Sequence, residues 1–176
     1  MAGSGRARRM AAAAMLALLS MPLVGTTGRE INFDSRLLAA HNRERNAAGL
    51  EPLAWNDRLA ADAKEWAEYL AETETFEHSE DEDEADPQGE NLWEGTRASF
   101  TPEEMVGMWI EEKRHFKPGI FPNNSRTGNL EDVGHYTQLM WRDTGRVGCA
   151  KSANEENEVL VCRYAAAGNV IGERPF

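Results

Sequence analysis

The chain has 176 residues, and its 30 acidic and 19 basic side chains give a formal net charge of −11. This length suits one domain, and a hydrophobic content of 41% is too high for a disordered chain. The negative charge argues against nucleic acid and anionic membrane surfaces as partners, because both repel an acidic protein. No apolar run reaches the ~20 residues that a membrane-spanning helix requires.

The first 28 residues have the pattern of a secretory signal peptide. Arg6, Arg8 and Arg9 form a basic start, and an apolar run follows over residues 10–19. A short N-terminal helix or an uncleaved anchor is the alternative. Cleavage would leave 16 basic and 30 acidic side chains, a net charge of −14. We therefore expect a secreted or periplasmic protein, with residues 29–176 forming a single domain.

Three helices are predicted from apolar periodicity and from end signals. The first covers residues 34–48, with Asp34 as its N-cap and Gly49 as its stop. Its apolar side carries Leu37, His41 and Ala48. The second begins after Asn56, a good N-cap, and ends near Thr73. Its apolar stripe consists of Leu59, Ala63, Trp66 and Leu70.

The third helix begins at Thr101, where Glu104 completes a capping box and Pro102 suits the first turn. Its apolar stripe consists of Met105, Trp109 and Phe116. Glu112 falls within this stripe, and a buried carboxylate needs a partner because burying it unpaired is costly. Glu112 is therefore a candidate site residue. The alternative is a long side chain that reaches solvent at the edge of the stripe.

Two loops and one strand are predicted between and after these helices. Residues 77–86 hold seven acids, which is typical of a solvated loop. The alternative, a cation site, would lack the ordered spacing and the glycine of a calcium-binding helix–loop–helix. A loop rich in glycine and asparagine, residues 117–134, precedes a predicted first strand at residues 137–142.

The only two cysteines, Cys149 and Cys162, lie in apolar segments that flank the polar residues 152–158. This pattern predicts a β-hairpin with one cysteine on each strand. In an oxidising compartment the two can form a disulfide, worth about 3 kcal/mol for a loop of this size. A nucleophilic free thiol is less favoured, because neither cysteine has an evident activating base.

Four short motifs occur in the order in which a known family carries them. They are His41-Asn42-Arg43-Glu44-Arg45, Gly89-Glu90-Asn91-Leu92-Trp93, Gly134-His135-Tyr136-Thr137-Gln138-Leu139-Met140-Trp141 and Cys162-Arg163-Tyr164-Ala165-Ala166-Ala167-Gly168-Asn169. With these motifs the chain resembles the CAP superfamily, which comprises cysteine-rich secretory, antigen 5 and pathogenesis-related 1 proteins. The resemblance implies an α+β fold, namely a three-layer α-β-α sandwich with a small antiparallel sheet.

The resemblance also implies a cleft lined by two histidines and two glutamates. By motif position these are His78, Glu90, Glu112 and His135. Such side chains suit a divalent cation such as Zn²⁺, and the alternative is a polar cluster that holds the helices against the sheet. We expect His41 to satisfy buried backbone groups and His115 to be exposed. The motif residues expected to support the fold are His41, Asn42, Arg45, Asn91, Tyr136, Gln138, Trp141, Tyr164, Gly168 and Asn169.

The resemblance implies a secreted, non-catalytic binding or signalling protein, with a small lipid, a sterol-like ligand or an envelope component as partner. The alternative is a metal-dependent hydrolase or protease, in which Glu90 or Glu112 would assist a metal-activated water. The sequence contains neither a His-Glu-x-x-His helix nor a Gly-x-Ser-x-Gly turn. Members from plants and animals typically have several disulfides, so the one possible here favours a pared-down member of bacterial type. Ala166 stands where the family usually has proline, which implies a looser turn.

Overall fold

The computed structural model describes Met1, residues 32–80 and residues 86–176. The predicted signal peptide, apart from Met1, and half of the acidic segment 77–86 lie outside the described residues. The described elements are, in chain order, α1 (Phe33–Ala47), β1 (Ala54–Trp55), α2 (Asp57–Thr73), β2 (Gly89–Thr96), α3 (Pro102–Glu111), α4 (Gly134–Leu139), β3 (Arg146–Ala153) and β4 (Asn157–Ala165). Short 3₁₀ turns at Glu112–Arg114 and Leu130–Asp132 lie between α3 and α4.

Helix α1 agrees with the prediction over most of its length but differs at both ends. It begins at Phe33, so Asp34, predicted as the N-cap, lies in the first turn, where the helix dipole favours a carboxylate. Gly49 follows the helix with a φ of 72°, as its predicted role as a stop requires. Ala48, predicted on the apolar side, is exposed, because the helix ends at Ala47. The buried residue in its last turn is Arg45.

The N-terminal caps of α2 and α3 are confirmed. The Oδ1 of Asn56 accepts a hydrogen bond from the backbone N of Leu59 at 3.0 Å, which satisfies one free donor of the first turn of α2. Thr101 and Glu104 form the reciprocal capping box of α3. Helix α3 ends at Glu111, so Glu112 begins a 3₁₀ turn rather than continuing the helical stripe.

The four strands form one sheet in the order β1-β3-β4-β2. The β2–β4 and β3–β4 pairs are antiparallel, as expected, whereas the two-residue β1 runs parallel to β3. The predicted hairpin is confirmed as β3 and β4. Its strands place Cys149 directly opposite Cys162, and a disulfide joins them.

Helices cover both faces of this sheet, which gives the three layers of the expected α-β-α sandwich. Helix α2 covers one face, where its apolar residues Ala63, Ala67 and Leu70 pack against Leu92, Val159 and Val161. Helices α1, α3 and α4 cover the other face, over a larger core that includes Leu37, Met105, Trp109, Tyr136, Leu160 and Tyr164. Gly148 permits α2 to lie close to the sheet, because a Cβ there would stand 2.2 Å from the backbone N of Ala60.

The strand predicted at residues 137–142 is wrong. Residues Gly134–Leu139 form α4, in which the backbone N of Thr137 donates to the carbonyl of Val133 at 2.9 Å. Aromatic and β-branched residues favour a strand here, but four successive side chains from Tyr136 are buried, and tertiary packing overrides this weak preference. The strands that sequence reasoning missed are β1 and β2.

No helix in residues 32–80 or 86–176 combines the length and the apolar character that crossing a membrane would need.

Candidate functional site

The first candidate pair consists of His78 and Glu90. Glu90 is the second residue of β2, and its side chain is 7% exposed, whereas that of His78 is 64% exposed. Glu90 Oε1 accepts hydrogen bonds from His78 Nδ1 at 2.5 Å and from the backbone N of Ser79 at 3.2 Å. The bond to Glu90 raises the pKa of the His78 imidazole above its ordinary value of 6.5.

Arg163 completes the surroundings of Glu90, and sequence reasoning did not assign it to the site. It lies directly opposite Glu90 in the β2–β4 register, and its Nη2 is 3.2 Å from Glu90 Oε2. Oε2 makes no hydrogen bond of good geometry, so this contact is an ion pair rather than a hydrogen bond. The alternation of side chains along a strand was the available signal, because it places Arg163 on the face opposite Cys162.

The second candidate pair consists of Glu112 and His135. Glu112 Oε1 lies 2.6 Å from His135 Nδ1, and Oε2 accepts the backbone N–H of Tyr136 at 3.0 Å. The Tyr136 N–H belongs to the first turn of α4, where donors have no partner within the helix. Trp109 fixes the imidazole from the other side, since its ring stacks on that of His135 with centroids 6.0 Å apart.

The edge strand β2 lies between the two pairs. The side chain of Glu90 points to the face of the sheet that α2 covers, and the side chain of Asn91, the next residue, points to the opposite face. Asn91 Nδ2 donates to the carbonyl of His135 at 3.1 Å, which ties the second pair to the start of the same strand. Trp109 Nε1 adds a bond to the carbonyl of Leu92 at 3.0 Å. Both pairs are therefore positioned by the first four residues of β2.

The four side chains do not form one cluster of metal ligands. Within the described part of the chain, no three His, Cys, Asp or Glu side chains are placed so that they could hold a single ion. The carboxylates are occupied by Nδ1 atoms, by backbone N–H groups and by Arg163. The ring atoms that remain available as metal ligands are the Nε2 atoms of His78 and His135, which bond to no residue that the structure describes.

The motif around His41 forms a buried polar network beneath the second pair. His41 is fully buried, and its ring nitrogens lie 2.8 Å from the carbonyl of Leu37 and 2.9 Å from the hydroxyl of Tyr164. Burial lowers the pKa of this imidazole to about 4. Asn42 bonds both the N–H and the carbonyl of Leu53. These contacts agree with a supporting role for the motif.

Arg45 is fully buried and serves as a hub for four backbone carbonyls. Its guanidinium donates to the carbonyls of Glu51, Leu139, Trp141 and Thr144 at 2.8–3.0 Å. These bonds hold the end of α4 and the following turn against α1. A delocalised cation with five N–H donors suits this role because it can reach several acceptors at once.

The last two motifs hold each other through side-chain amides. Gln138 Oε1 accepts the N–H of Gly168 at 2.9 Å, and Asn169 Oδ1 accepts the hydroxyl of Thr137 at 2.7 Å. Trp141 is buried and packs edge-on against Phe121.

His115 differs from the expectation of an exposed residue. It is half-buried, and its Nε2 accepts a hydrogen bond from Arg114 Nε at 3.0 Å. It follows the 3₁₀ turn after α3, and its backbone carbonyl accepts the N–H of Arg126 at 2.8 Å.

Comparison with known proteins identifies the same family that the motifs indicate. The profile of the cysteine-rich secretory protein family, CAP, matches residues 38–164. Pathogenesis-related protein 1A of Nicotiana tabacum is 36% identical over 160 residues, which is 90% of each chain. Pathogenesis-related protein 1 of Arabidopsis thaliana is 35% identical over 140 residues, covering 79% of this chain and 80% of the relative.

Solved structures share the fold at lower sequence identity. The structure of NaASP2 with Zn²⁺ has a TM-score of 0.67 at 20% identity, and the match covers 86% of this chain and 88% of that one. The venom allergen-like protein 4 of Schistosoma mansoni has a TM-score of 0.62 at 22% identity, covering 82% of this chain and 93% of that one. These likenesses establish the three-layer architecture.

Proposed function

Because the chain belongs to the cysteine-rich secretory protein family, CAP, we propose that it is a secreted, non-catalytic binding protein whose two His–Glu pairs bind a divalent cation. The observation that carries the proposal is that Nδ1 of His78 and Nδ1 of His135 each contact a carboxylate oxygen. Histidines that bind metals usually donate their second ring N–H to such a partner, which orients the ring. In this arrangement the imidazole Nε2 atoms are the ligands, and Glu90 and Glu112 position them.

Zn²⁺ suits this donor set, because it accepts imidazole nitrogen readily. Two protein nitrogens fill only part of its usual four-coordinate shell, so water or a ligand group must supply the rest. When bound, the ion would supply a cross-link between the segment before β2 and the start of α4. The Zn²⁺ in the structure of NaASP2 supports the choice of ion.

The non-catalytic assignment rests on how fully the two carboxylates are bonded. Glu112 accepts one hydrogen bond at each oxygen, and Glu90 accepts two at Oε1 while its Oε2 faces Arg163. A general base must be within reach of the proton that it removes and must be able to accept it. A glutamate with these partners would lose an orienting contact in order to act as that base.

Export of the protein is the other part of the proposal. The disulfide between Cys149 and Cys162 supports it, because such bonds persist mainly in oxidising compartments. The test is expression of the full chain in a secreting host, with mass spectrometry of the product outside the cytoplasm. A product that begins near residue 29 is expected, and a full-length product retained in the cytoplasm would contradict export.

Calorimetric titration with Zn²⁺ tests the cation site. We expect saturable one-to-one binding by the purified protein and its loss in the double variant His78→Ala/His135→Ala. Equal heats from both proteins would place the ion elsewhere on the acidic surface. Cleavage of a peptide library that depends on zinc and disappears in Glu112→Gln would contradict the non-catalytic assignment and favour the hydrolase.

The second ligand class in the proposal is a small lipid or another component of the cell envelope, which an exported protein would meet. Transfer of labelled sterol or fatty acid from neutral vesicles to the protein is the corresponding assay. Failure to extract any labelled lipid would remove the lipid from the proposal and leave the cation site unaffected.

A further inference from the structure

A cavity of about 710 Å³ lies on the side of α2 that faces the segment leading into β2. Its volume is within the range of small-molecule sites. Its lining is polar and charged, with aromatic side chains on one wall only. A cavity with this lining suits a water-soluble ligand better than a lipid tail, because burying charged groups against hydrocarbon is costly.

The aromatic wall consists of Trp66 and Tyr69, which lie three residues apart on α2. Their rings are stacked with centroids 4.8 Å apart and an interplanar angle of 19°. Trp66 Nε1 donates to the carbonyl of Glu77 at 3.1 Å, which fixes the indole ring. Tyr69 is 44% exposed. The pair therefore forms a flat platform, and the negative π-faces of such rings attract ammonium groups and the C–H groups of a saturated ring.

Carboxylates outnumber cations around the platform. Among the described residues that line the cavity, five are acids, two are arginines and one is a histidine. The acids are Asp62, Glu65, Glu77, Glu80 and Asp86. This excess creates a negative potential that concentrates positively charged ligands in the cavity. An amine is therefore favoured over a neutral or anionic molecule.

One hydrogen-bond donor and one acceptor in the lining of the cavity have no partner among the described residues. Arg163 is nine-tenths buried, and no residue that the structure describes accepts a hydrogen bond from its Nε. Gln88 donates to Asp62 Oδ2 at 2.7 Å through its Nε2, whereas its buried Oε1 has no donor among the described residues. Such groups cost free energy unless a water or a ligand completes them. Both atoms are closed to solvent, so a ligand reaches them only when the two side chains rotate toward the cavity. A ligand that completes both must bring an acceptor as well as a donor, and a simple polyamine has only donors.

From these observations we propose that the cavity binds an amino sugar, that is, a pyranose ring with a free amine and several hydroxyl groups. The ring stacks on the Trp66–Tyr69 platform, and the amine faces the carboxylates of Asp62 and Glu65. The hydroxyl groups supply the acceptor for Arg163 and the donor for Gln88. This site does not depend on the cation site, although His78 borders both.

Calorimetry in the presence of EDTA tests the ligand class, with the glucosamine tetramer as the probe. The N-acetylglucosamine tetramer keeps the ring and hydroxyl groups but loses the charge, and spermidine keeps the charge but has no acceptor. We expect the glucosamine tetramer to bind about tenfold more tightly than either comparator. If spermidine binds as tightly as the glucosamine tetramer, binding depends on charge alone. If the acetylated tetramer binds as tightly, the site does not recognise the amine. Either outcome, or no binding of the probe, overturns the proposal.

Two variants locate the binding on the cavity. Tyr69→Ala removes the exposed ring of the platform, and Glu65→Gln removes one carboxylate. Each should weaken binding of the glucosamine tetramer by about tenfold. The matched controls are Ile171→Ala, at an exposed apolar residue, and Glu68→Gln, at an exposed acid of the same helix outside the lining. Equal losses in variants and controls, or none in either variant while circular dichroism shows an intact fold, would contradict the assignment.

Discussion

Glu112 Oε1 lies 2.6 Å from His135 Nδ1, although the two residues are 23 positions apart in the chain. The other oxygen of the same carboxylate accepts the N–H of Tyr136. One side chain at the end of α3 therefore orients the imidazole and satisfies the first turn of α4. This double use explains why a carboxylate directly follows the helix that carries the apolar residues Met105 and Trp109.

Glu112→Gln should destabilise the protein by about 1–3 kcal/mol, because an amide offers one acceptor where the carboxylate offers two. One of the bonds to His135 and Tyr136 is then lost. Denaturant unfolding measures the change, with Glu111→Gln at an exposed position as the control. Zn²⁺ affinity should fall by about 10–100-fold in the same variant, as expected for an orienting partner. An unchanged unfolding midpoint would show that the amide replaces both contacts.

The stability contributed by the His78–Glu90 pair should decrease as the pH rises. Because the pKa of His78 is raised in the folded protein above 6.5, this contribution is complete below pH 6.5 and is lost as the pH rises through the folded pKa. Measured from pH 5 to pH 8, the free energy of unfolding of the wild type minus that of His78→Ala should decrease, and this difference cancels the contribution of His41, which both proteins retain. Parallel curves would show that the pair contributes no pH dependence.

His41 should make the protein sensitive to acid. Its pKa is lowered to about 4 by burial, so the folded state disfavours protonation that the unfolded chain accepts near pH 6.5. The penalty develops as the pH falls from 6.5 to 4 and amounts to about 3 kcal/mol below that range. His41→Gln, which does not titrate, should flatten this part of the stability profile. NMR titration of the ring protons provides a direct check, and a pKa near 6.5 would contradict the prediction.

Arg45→Met should cost more than about 3 kcal/mol, because four backbone carbonyls, three of them in buried hydrogen bonds, lose their donor at once. Arg45→Lys should rescue only part of the loss, since an ammonium has three donors and no planar fork. The exposed Arg43→Met, two residues away on α1, is the control for removal of a positive charge. Thermal and denaturant unfolding should rank the three variants in that order of damage. Similar losses at positions 43 and 45 would show that the bonds of Arg45 contribute nothing beyond its charge.

Reduction of the Cys149–Cys162 disulfide should lower the free energy of unfolding by about 3 kcal/mol, since the bond closes a short loop of the unfolded chain. Guanidinium unfolding with and without reductant measures the effect. The double variant Cys149→Ala/Cys162→Ala should behave like the reduced protein, and it should not respond to reductant. A response of the double variant would indicate an effect unrelated to this bond.

The sequence predicted the elements whose signals are local. The caps Asn56 and Thr101 start their helices where predicted, because capping depends on residues within one turn. The hairpin followed from the alternation of apolar residues around Cys149 and Cys162, and the motif order identified the family. The prediction of Asp34 as the N-cap of α1 was wrong by two residues, since the N-cap is Asn32. The backbone that precedes a helix decides where it begins.

Long-range packing decided what the sequence could not. Residues 134–139 form a helix because Tyr136–Leu139 are enclosed on all sides, whereas their composition favours a strand. Motif position predicted the site residues His78, Glu90, Glu112 and His135, but it implied that all four line a single cleft. The tertiary structure instead divides them into two pairs beside β2, and Arg163 joins Glu90 only because the β2–β4 register places them opposite each other. Sequence alone thus determined the starts of α2 and α3, the β3–β4 hairpin and the fold family. The partner of each charged group was decided by strand register and packing, because those bring together residues that are far apart in the chain.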